Sequence, residues 1–370
     1  MTGSSEVERK IPFKEIRPDM VLSRDVIVRN GTVLFAAGTM LNDVNFLKLK
    51  AYHVAHVFVR AASINESLPF FSDGDTAVPR REVEPIKERK DFQEFEQAYE
   101  EKSKEVESVV RAISDGASIN LGELQKITGG ILSKLRCKSD VMTFISTLET
   151  TSDHTFSHCT NVSLLCNLFG YWIGLDEQRL RDLTAAGMLH DIGKIQTPPN
   201  ILNKQGKLTK EEYEVIKQHA ADGYRILKEH DIPEDIKMAV LLHHEKTDGT
   251  GYPFGIKGDK INKMAQMVAI VDIYDAMTTN RVYRNKICPF TVIKTFERKF
   301  YGELDTELLL AFLKNIAYTY IGTWVRLSDN RAAEVVFINQ QSLSNPMVRF
   351  EDGEILDLMT RQDISVAELL

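Results

Sequence analysis

The sequence predicts a mainly α protein: a helical bundle preceded by a small α/β domain and closed by a short C-terminal β element. Three observations predict it. Residues 121–320 carry apolar positions at almost continuous helical spacing, interrupted at Gly174, Pro198-Pro199, Pro233 and residues 248–258. Both ends of the chain switch to short apolar runs separated by turn dipeptides, a strand pattern. Between the first of these ends and the bundle lies a stretch at 71–90 with Ser-Asp-Gly-Asp, two prolines and mixed charge, too poor in apolar surface to order itself. With 370 residues and 43% hydrophobic content, the chain is long enough for one bundle and small satellites.

Taken in order, residues 1–70 form the small α/β domain. Val26-Ile27-Val28 and Val33-Leu34-Phe35 flank Asn30-Gly31, which is hairpin chemistry. Residues 42–52 have helical spacing through Val44, Leu47 and Leu49, and 54–59 suit a further strand; His53 and His56 read as surface or packing residues. After the 71–90 linker, residues 91–120 place Phe92, Phe95, Tyr99, Val106 and Val110 at roughly helical spacing in a Glu/Lys/Ala-rich segment. This is a connecting amphipathic helix, with two fates open to it: packing on its own domain, or pairing with a second copy in a homodimer. The bundle spans 121–320. Residues 321–370 then show strand patterns at 323–327, 333–339, 347–350 and 354–358, with turns at Asp329-Asn330 and Asp352-Gly353, and no evident chemistry.

Composition narrows the function. A net charge of −7 argues against a polymeric nucleic acid partner, which would call for a basic face. Cys137, Cys159, Cys166 and Cys288 lie far apart and outside any CxxC pair, so they make neither a disulfide framework nor a zinc knuckle. Residues 1–10 are polar, and no apolar run approaches the ~20 residues that span a bilayer. The expectation is a cytoplasmic protein with no membrane contact.

His154, His158, His190, His219, His243 and His244 crowd between residues 154 and 244 of the bundle, in a chain with nine histidines. His190-Asp191 sets an imidazole beside a carboxylate at the end of an apolar stretch, where the two can serve one ion or bridge two. His243 and His244 are adjacent, about 100° apart on a helix, and can face neighbouring ions. Taken singly, His158 or His219 on an amphipathic helix is an ordinary packed histidine. Asp272 is not ordinary: it sits in Met-Val-Ala-Ile-Val-Asp-Ile-Tyr, where an ionised carboxylate must be paired or coordinated. Mixed imidazole and carboxylate donors without thiolate suit Fe, Mn, Co, Ni or Zn, and the set is too large for a closed four-ligand structural zinc.

At this point the residues match a family. His158, His190-Asp191-Ile192-Gly193-Lys194, His219, His243-His244-Glu245, Asp248-Gly249, Gly251-Tyr252-Pro253 and Asp272 together resemble the HD-GYP subgroup of the HD phosphohydrolases, over roughly residues 140–320. The resemblance implies an HD-type helical bundle and a centre of two or three divalent transition metals, with iron or manganese favoured. It also implies hydrolysis of cyclic di-GMP to linear pGpG, and in some members onward to GMP, by water activated between metals. Residue by residue it makes His158, His190, Asp191, His219, His243, His244 and Asp272 metal ligands, with Asp191 bridging and catalytic. Lys194 would lie beside the scissile phosphate, a catalytic and substrate-binding position whose plainer reading is a solvated helix-end lysine. Asp275, Arg281 and Arg284 match positions that contact the nucleotide, arginine being suited to bidentate phosphate contact. Gly251, Tyr252 and Pro253 shape a loop linked in the family to protein partners.

One position departs from the pattern. Where family members carry Tyr, or Glu in those holding a third metal, this sequence has His154, four residues before His158 and on the same helix face. Three readings stay open there: a ligand to a third ion, a hydrogen-bonding neighbour of a ligand, or a plain replacement of the tyrosine. The segment Ile16-Arg17-Pro18-Asp19-Met20-Val21-Leu22 is similar to a small domain that often precedes this catalytic domain in bacteria. Two other functions stand beside cyclic di-GMP hydrolysis: a phosphodiesterase preferring cyclic GMP-AMP, and a cyclic dinucleotide receptor or interaction module with little catalysis.

Overall fold

A computed structural model describes residues 8–16, 20–27, 33–39, 41, 49, 54–60, 86–135, 140–148, 154–279 and 286–370. The chain divides into two units, Met1–Val83 and Glu84–Leu370.

The first unit contains β1 (Glu8–Pro12), β2 (Val26–Ile27), β3 (Val33–Phe35) and β4 (His56–Arg60). β2 pairs antiparallel with β3, as the hairpin pattern implies, and β1 pairs antiparallel with β4 from Glu8↔Arg60 to Pro12↔His56. The period of two turns Val57 and Val59 inward onto Ile11, Leu22 and Leu49, and leaves His56 exposed. Of the other expectations for this region, the turn Asn30-Gly31, His53, the 42–52 helix apart from Leu49, and linker residues 71–85 lie outside the described residues. The last linker residues, 86–90, take regular structure instead: a 3-10 turn, Ile86–Glu88, and the start of a helix.

That helix, α1 (Lys90–Ser114), buries Phe92, Phe95, Tyr99, Val106 and Val110. It packs against α2 (Leu121–Leu132), α3 (Asp140–Thr147) and α4 (His154–Trp172), with Phe92 and Phe95 meeting Phe144 at ring-centroid separations of 5.2 and 5.3 Å. Its apolar stripe therefore faces the core of its own unit, and the segment read as a connector is a wall of the bundle. Helix boundaries follow the sequence breakers. α5 (Glu177–Leu189) follows Gly174, which takes φ +73°, and is capped by the Asp176 side chain. A 3-10 turn, Ile192–Gln196, leads to α6 (Pro199–Leu202), with proline at its first position. α7 (Lys210–Lys217) begins with a capping box between Thr209 and Glu212. α8 (His219–Leu227) and α9 (Glu234–Leu242, after Pro233) follow, then α10 (Lys263–Thr278), capped by Asn262, α11 (Pro289–Lys299) and α12 (Thr306–Thr319). α10 is buried on almost every side, against α4, α5 and α9, which is why its sequence is apolar without a helical period.

The chain closes with β5 (Trp324–Leu327), β6 (Ala332–Asn339), β7 (Ser342–Arg349), β8 (Ile355–Asp357) and β9 (Val366–Leu369), an antiparallel sheet in the order β8-β7-β6-β5-β9. Four of these correspond to the expected strands; β9 does not. It is short and finds its partner far back in sequence, Leu369 opposite Val325, so no local hairpin signal announces it. The sheet is tied to α11 by Glu297, whose carboxylate accepts from Leu343 N at 2.9 Å and Ser344 Oγ at 2.6 Å. Among the described residues no helix is long and apolar enough to cross a membrane.

Candidate metal centre

Five elements bring the seven expected ligands together. His158 lies in α4 and Asp272 in α10, inside helices, whereas the others sit where helices end or begin. His190 closes α5 and Asp191 follows it, His219 opens α8, and His243 closes α9 with His244 next. A helix terminus lets two adjacent side chains diverge from regular helix geometry and still reach one space. The donor atoms fall into two groups: His158, His190 and Asp272; and Asp191, His219, His243 and His244. All but His244 are buried.

Hydrogen bonds behind the imidazoles decide what they present in front. The Nδ1 atoms of His190, His219 and His243 lie 2.8, 2.6 and 2.8 Å from the carbonyl oxygens of Gly187, Ile216 and Val240. A carbonyl only accepts, so each Nδ1 carries the proton and, in the neutral ring, each Nε2 is a bare lone pair. Those lone pairs converge. His219 Nε2 is 3.4 Å from His243 Nε2 and 3.2 Å from His244 Nε2, and His190 Nε2 is 3.3 Å from His158 Nε2. Burial keeps His219 neutral by lowering its pKa; burial and neighbouring imidazoles hold His243 well below the usual value, and burial takes His244 down to about 3.

Asp191 stands between the groups. Its Oδ2 lies 3.3 Å from His190 Nε2 and 3.7 Å from His158 Nε2; its Oδ1 lies 3.3 Å from His219 Nε2 and 4.0 Å from His243 Nε2. Burial alone would raise its pKa, but His190 and Lys194 hold the carboxyl well below its usual range. Oδ1 is buried and accepts no hydrogen bond, which agrees with an unprotonated Nε2 on the adjacent His219. An orphaned anionic oxygen facing convergent lone pairs is an environment that a cation satisfies and nothing else present does. The donor set therefore fits divalent metal, with one Asp191 oxygen toward each group. Asp272 Oδ1 is 3.0 Å from His158 Nε2 and 4.0 Å from His190 Nε2. Lys194, on the 3-10 turn, places Nζ against Asp191 Oδ2. That turn can press onto α8 because residue 193 is glycine: a Cβ there would stand 2.0 Å from the His219 carbonyl oxygen.

The structure places Asp275 inside the bundle. Expected as a nucleotide contact, it is buried with both oxygens engaged inside the protein: Oδ2 with His158 Nδ1 at 2.7 Å, Oδ1 with Asn161 Nδ2 and Thr279 Oγ1 at 2.9 Å each. Through Oδ2 it meets the His158 ring from behind. Burial would lower the His158 pKa, but hydrogen bonds to Asp272 and Asp275 carry it up to about 9 in the metal-free protein. Asn161 escaped the sequence reading, although it lies one helical turn after His158 on the same face. In the sequence Glu245 stands only as part of the His243-His244-Glu245 run. It is buried, and its carboxylate accepts from the backbone N–H groups of Phe254, Gly255 and Ile256 at 2.6, 3.1 and 3.2 Å, anchoring the loop after α9. In that loop the Tyr252 ring stacks on His244 at 4.6 Å, and the Tyr252-Pro253 peptide is cis. Gly251 admits the close approach, since a Cβ there would meet the His244 carbonyl oxygen at 2.4 Å. Arg281, Arg284 and the His154 side chain lie outside the described residues.

Fold and site together define a class. Residues 142–301 match the family model of the HD domain. Among curated proteins it is similar to a cyclic di-GMP phosphodiesterase of Pseudomonas aeruginosa, 31% identical over 245 residues, covering 66% of this chain and 59% of that protein. It is 36% identical over 171 residues to a cyclic di-GMP phosphodiesterase of Thermotoga maritima, covering 45% of this chain and 46% of that one. It is also 31% identical over 183 residues to a 3'3'-cGAMP-specific phosphodiesterase of Vibrio cholerae, covering 49% and 42%. The chain thus spans about half the length of the curated relatives it matches.

Proposed function

We propose that this protein is a metal-dependent phosphodiesterase that opens cyclic di-GMP to linear pGpG, with GMP as the product of any second cleavage. One observation carries the reading: the Asp191 carboxylate lies between two groups of ligand atoms, with a buried oxygen that no hydrogen bond satisfies. The activities of the relatives from P. aeruginosa and T. maritima support the same substrate.

His158, His190 and Asp272 would hold one ion, His219, His243 and His244 a second, and Asp191 both. Divalent metal bound there supplies Lewis acidity, which polarises a phosphodiester and brings the ionisation of water toward neutral pH. Imidazole and carboxylate donors suit iron or manganese. Lys194 holds a positive charge beside Asp191, where it offsets charge growing on phosphoryl oxygens. Arg281 and Arg284 bring paired guanidinium donors for the dinucleotide phosphates. Tyr252, whose ring covers His244, narrows access to that imidazole and presents the loop to protein partners. The protein would act in the cytoplasm, with a second copy of the chain as a candidate partner.

The test is steady-state hydrolysis of cyclic di-GMP by protein loaded with Fe or Mn under reducing conditions, with products separated by chromatography. We expect pGpG from the native protein and none from a folded Asp191→Ala variant with its metal lost. Tight binding of cyclic di-GMP without product would refute hydrolysis and leave a receptor. The V. cholerae relative supports a second reading, preference for cyclic GMP-AMP, and a larger kcat/KM for that substrate in a side-by-side assay would establish it.

A further inference from the structure

A carboxylate behind a metal-facing imidazole is a general device. In this chain that carboxylate is itself held from a third helix, one that contributes no ligand. Asp275 only accepts, so Asn161 must turn Nδ2 toward it, at 2.9 Å, and leave Oδ1 for Tyr99. The Tyr99 hydroxyl, on α1, then shares its one proton between Asn161 Oδ1 at 2.8 Å and the Ser157 carbonyl at 3.0 Å. The direction of every donor is fixed: Tyr99 to Asn161, Asn161 to Asp275, and His158 Nδ1–H to Asp275. Tyr99, Asn161, Asp275 and His158 are all buried, away from the bulk solvent that would weaken this order. Both ends of the Asn161 amide are spent on side chains of other helices, which a residue serving only its own helix would not need.

His158 has another arrangement within reach. In the neutral ring, the form that can offer an ion a lone pair, Asp272 Oδ1 lies 3.0 Å from Nε2, close enough to take a hydrogen bond from that nitrogen if the single ring proton sat there. Such a tautomer would occupy both donor atoms with each other. Asp275 excludes it by claiming the proton at Nδ1, while its own carboxylate is held by Asn161 from α4 and by Thr279 from the end of its own helix.

We infer that Tyr99 and Asn161 are positioning residues for the ion held by His158, His190 and Asp272. They fix Asp275, Asp275 fixes the His158 tautomer, and the affinity of that ion depends on α1 while the affinity of the Asp191, His219, His243 and His244 group does not. The inference rests on the reading of the site as a metal centre.

Asn161→Asp is nearly isosteric and reverses one donor, setting a second carboxylate against Asp275. Tyr99→Phe removes one hydroxyl and nothing else. Each full-length variant is titrated calorimetrically with Mn2+, its bound metal counted by elemental analysis, and its kcat and KM measured on cyclic di-GMP. Native protein should take two equivalents. In Asn161→Asp one equivalent should weaken by about tenfold or more, the scale of losing a ligand's supporting hydrogen bond, with the other unchanged. Tyr99→Phe should weaken the same equivalent by about threefold, and both variants should lose kcat at unchanged KM. Two native-like affinities in both variants, or equal weakening of both ions as from a general loss of packing, would overturn the inference. If Asn161→Asp fails to fold, Tyr99→Phe decides alone by the same criteria. A native protein that takes up no Mn2+ would remove the metal reading itself, a result visible before any variant is made.

Discussion

Replacing Glu245 by glutamine should loosen the loop that carries Tyr252 at a cost the geometry sets. The carboxylate receives three backbone donors, with Phe254 and Gly255 on Oε1 and Ile256 on Oε2. A hydrogen bond to a charged group contributes about 1.5–3 kcal/mol, against about 0.5–1.5 kcal/mol for a neutral one, so neutralising the acceptor costs about 1 kcal/mol at each bond that survives. With its oxygen kept toward Phe254 and Gly255, glutamine turns an NH2 toward the Ile256 N–H, donor against donor. That strands a partly buried backbone group, at about 1–3 kcal/mol. The sum is about 3–5 kcal/mol. Urea unfolding of metal-free protein, followed by the helical signal, should show the midpoint falling with the slope unchanged. A variant within about 0.5 kcal/mol of the native protein, the range of an ordinary surface change, would refute the assignment of Glu245 as the anchor.

Other consequences can be measured on the same protein. Chelation should lower the melting temperature, since an ion present at a thousand times its Kd stabilises the folded state by about 4.1 kcal/mol, and an unchanged Tm would count against a metal centre. Acid should destabilise the metal-free protein. His219, His243 and His244 are lowered in the folded state, so below the unfolded imidazole value the unfolded chain binds more protons and stability falls with pH, for His244 down to about 3. Asp191 and Asp272, also lowered, add to this only below the ordinary carboxylate range. His158 acts in the other direction: raised to about 9, it contributes stability that is fully present below pH ~6.5 and lost as pH rises from there through about 9. Urea midpoints that stay flat from pH 4 to 7 would contradict the buried neutral imidazoles. Gly251→Ala should displace the loop and expose His244, seen as faster modification of that imidazole by diethyl pyrocarbonate; native reactivity would show that the close approach is not required.

Much of this site was legible in the sequence because its ligands are short-range pairs and single residues in unusual company. Adjacent histidines, an adjacent His-Asp and an aspartate inside an apolar run each betray themselves without a fold. Direction was not legible. Asp272 and Asp275 are three residues apart on one helix, and only packing shows that the first reaches the imidazole Nε2 atoms while the second turns back to His158 Nδ1. The spacing of α1 exposed its stripe but not the surface it covers, since the same stripe serves a bundle wall or a dimer seam. β9 was missed for the complementary reason: its pairing with β5 is non-local, and four residues carry too little pattern to stand alone.

The backbone bonds behind His190, His219 and His243 each run only three residues, to a carbonyl of the preceding helical turn or loop. Each ring is aimed by its own segment, before and without any ion, and the fold brings the aimed rings together. The metal-free molecule is consequently frustrated at its centre, with several electron pairs and two carboxylates confined where apolar side chains would pack better. Selection for stability alone would have filled that space with leucine. Its persistence is a trade of robustness for capability, and it locates where gains in durability and losses of activity should coincide when this chain is evolved in the laboratory.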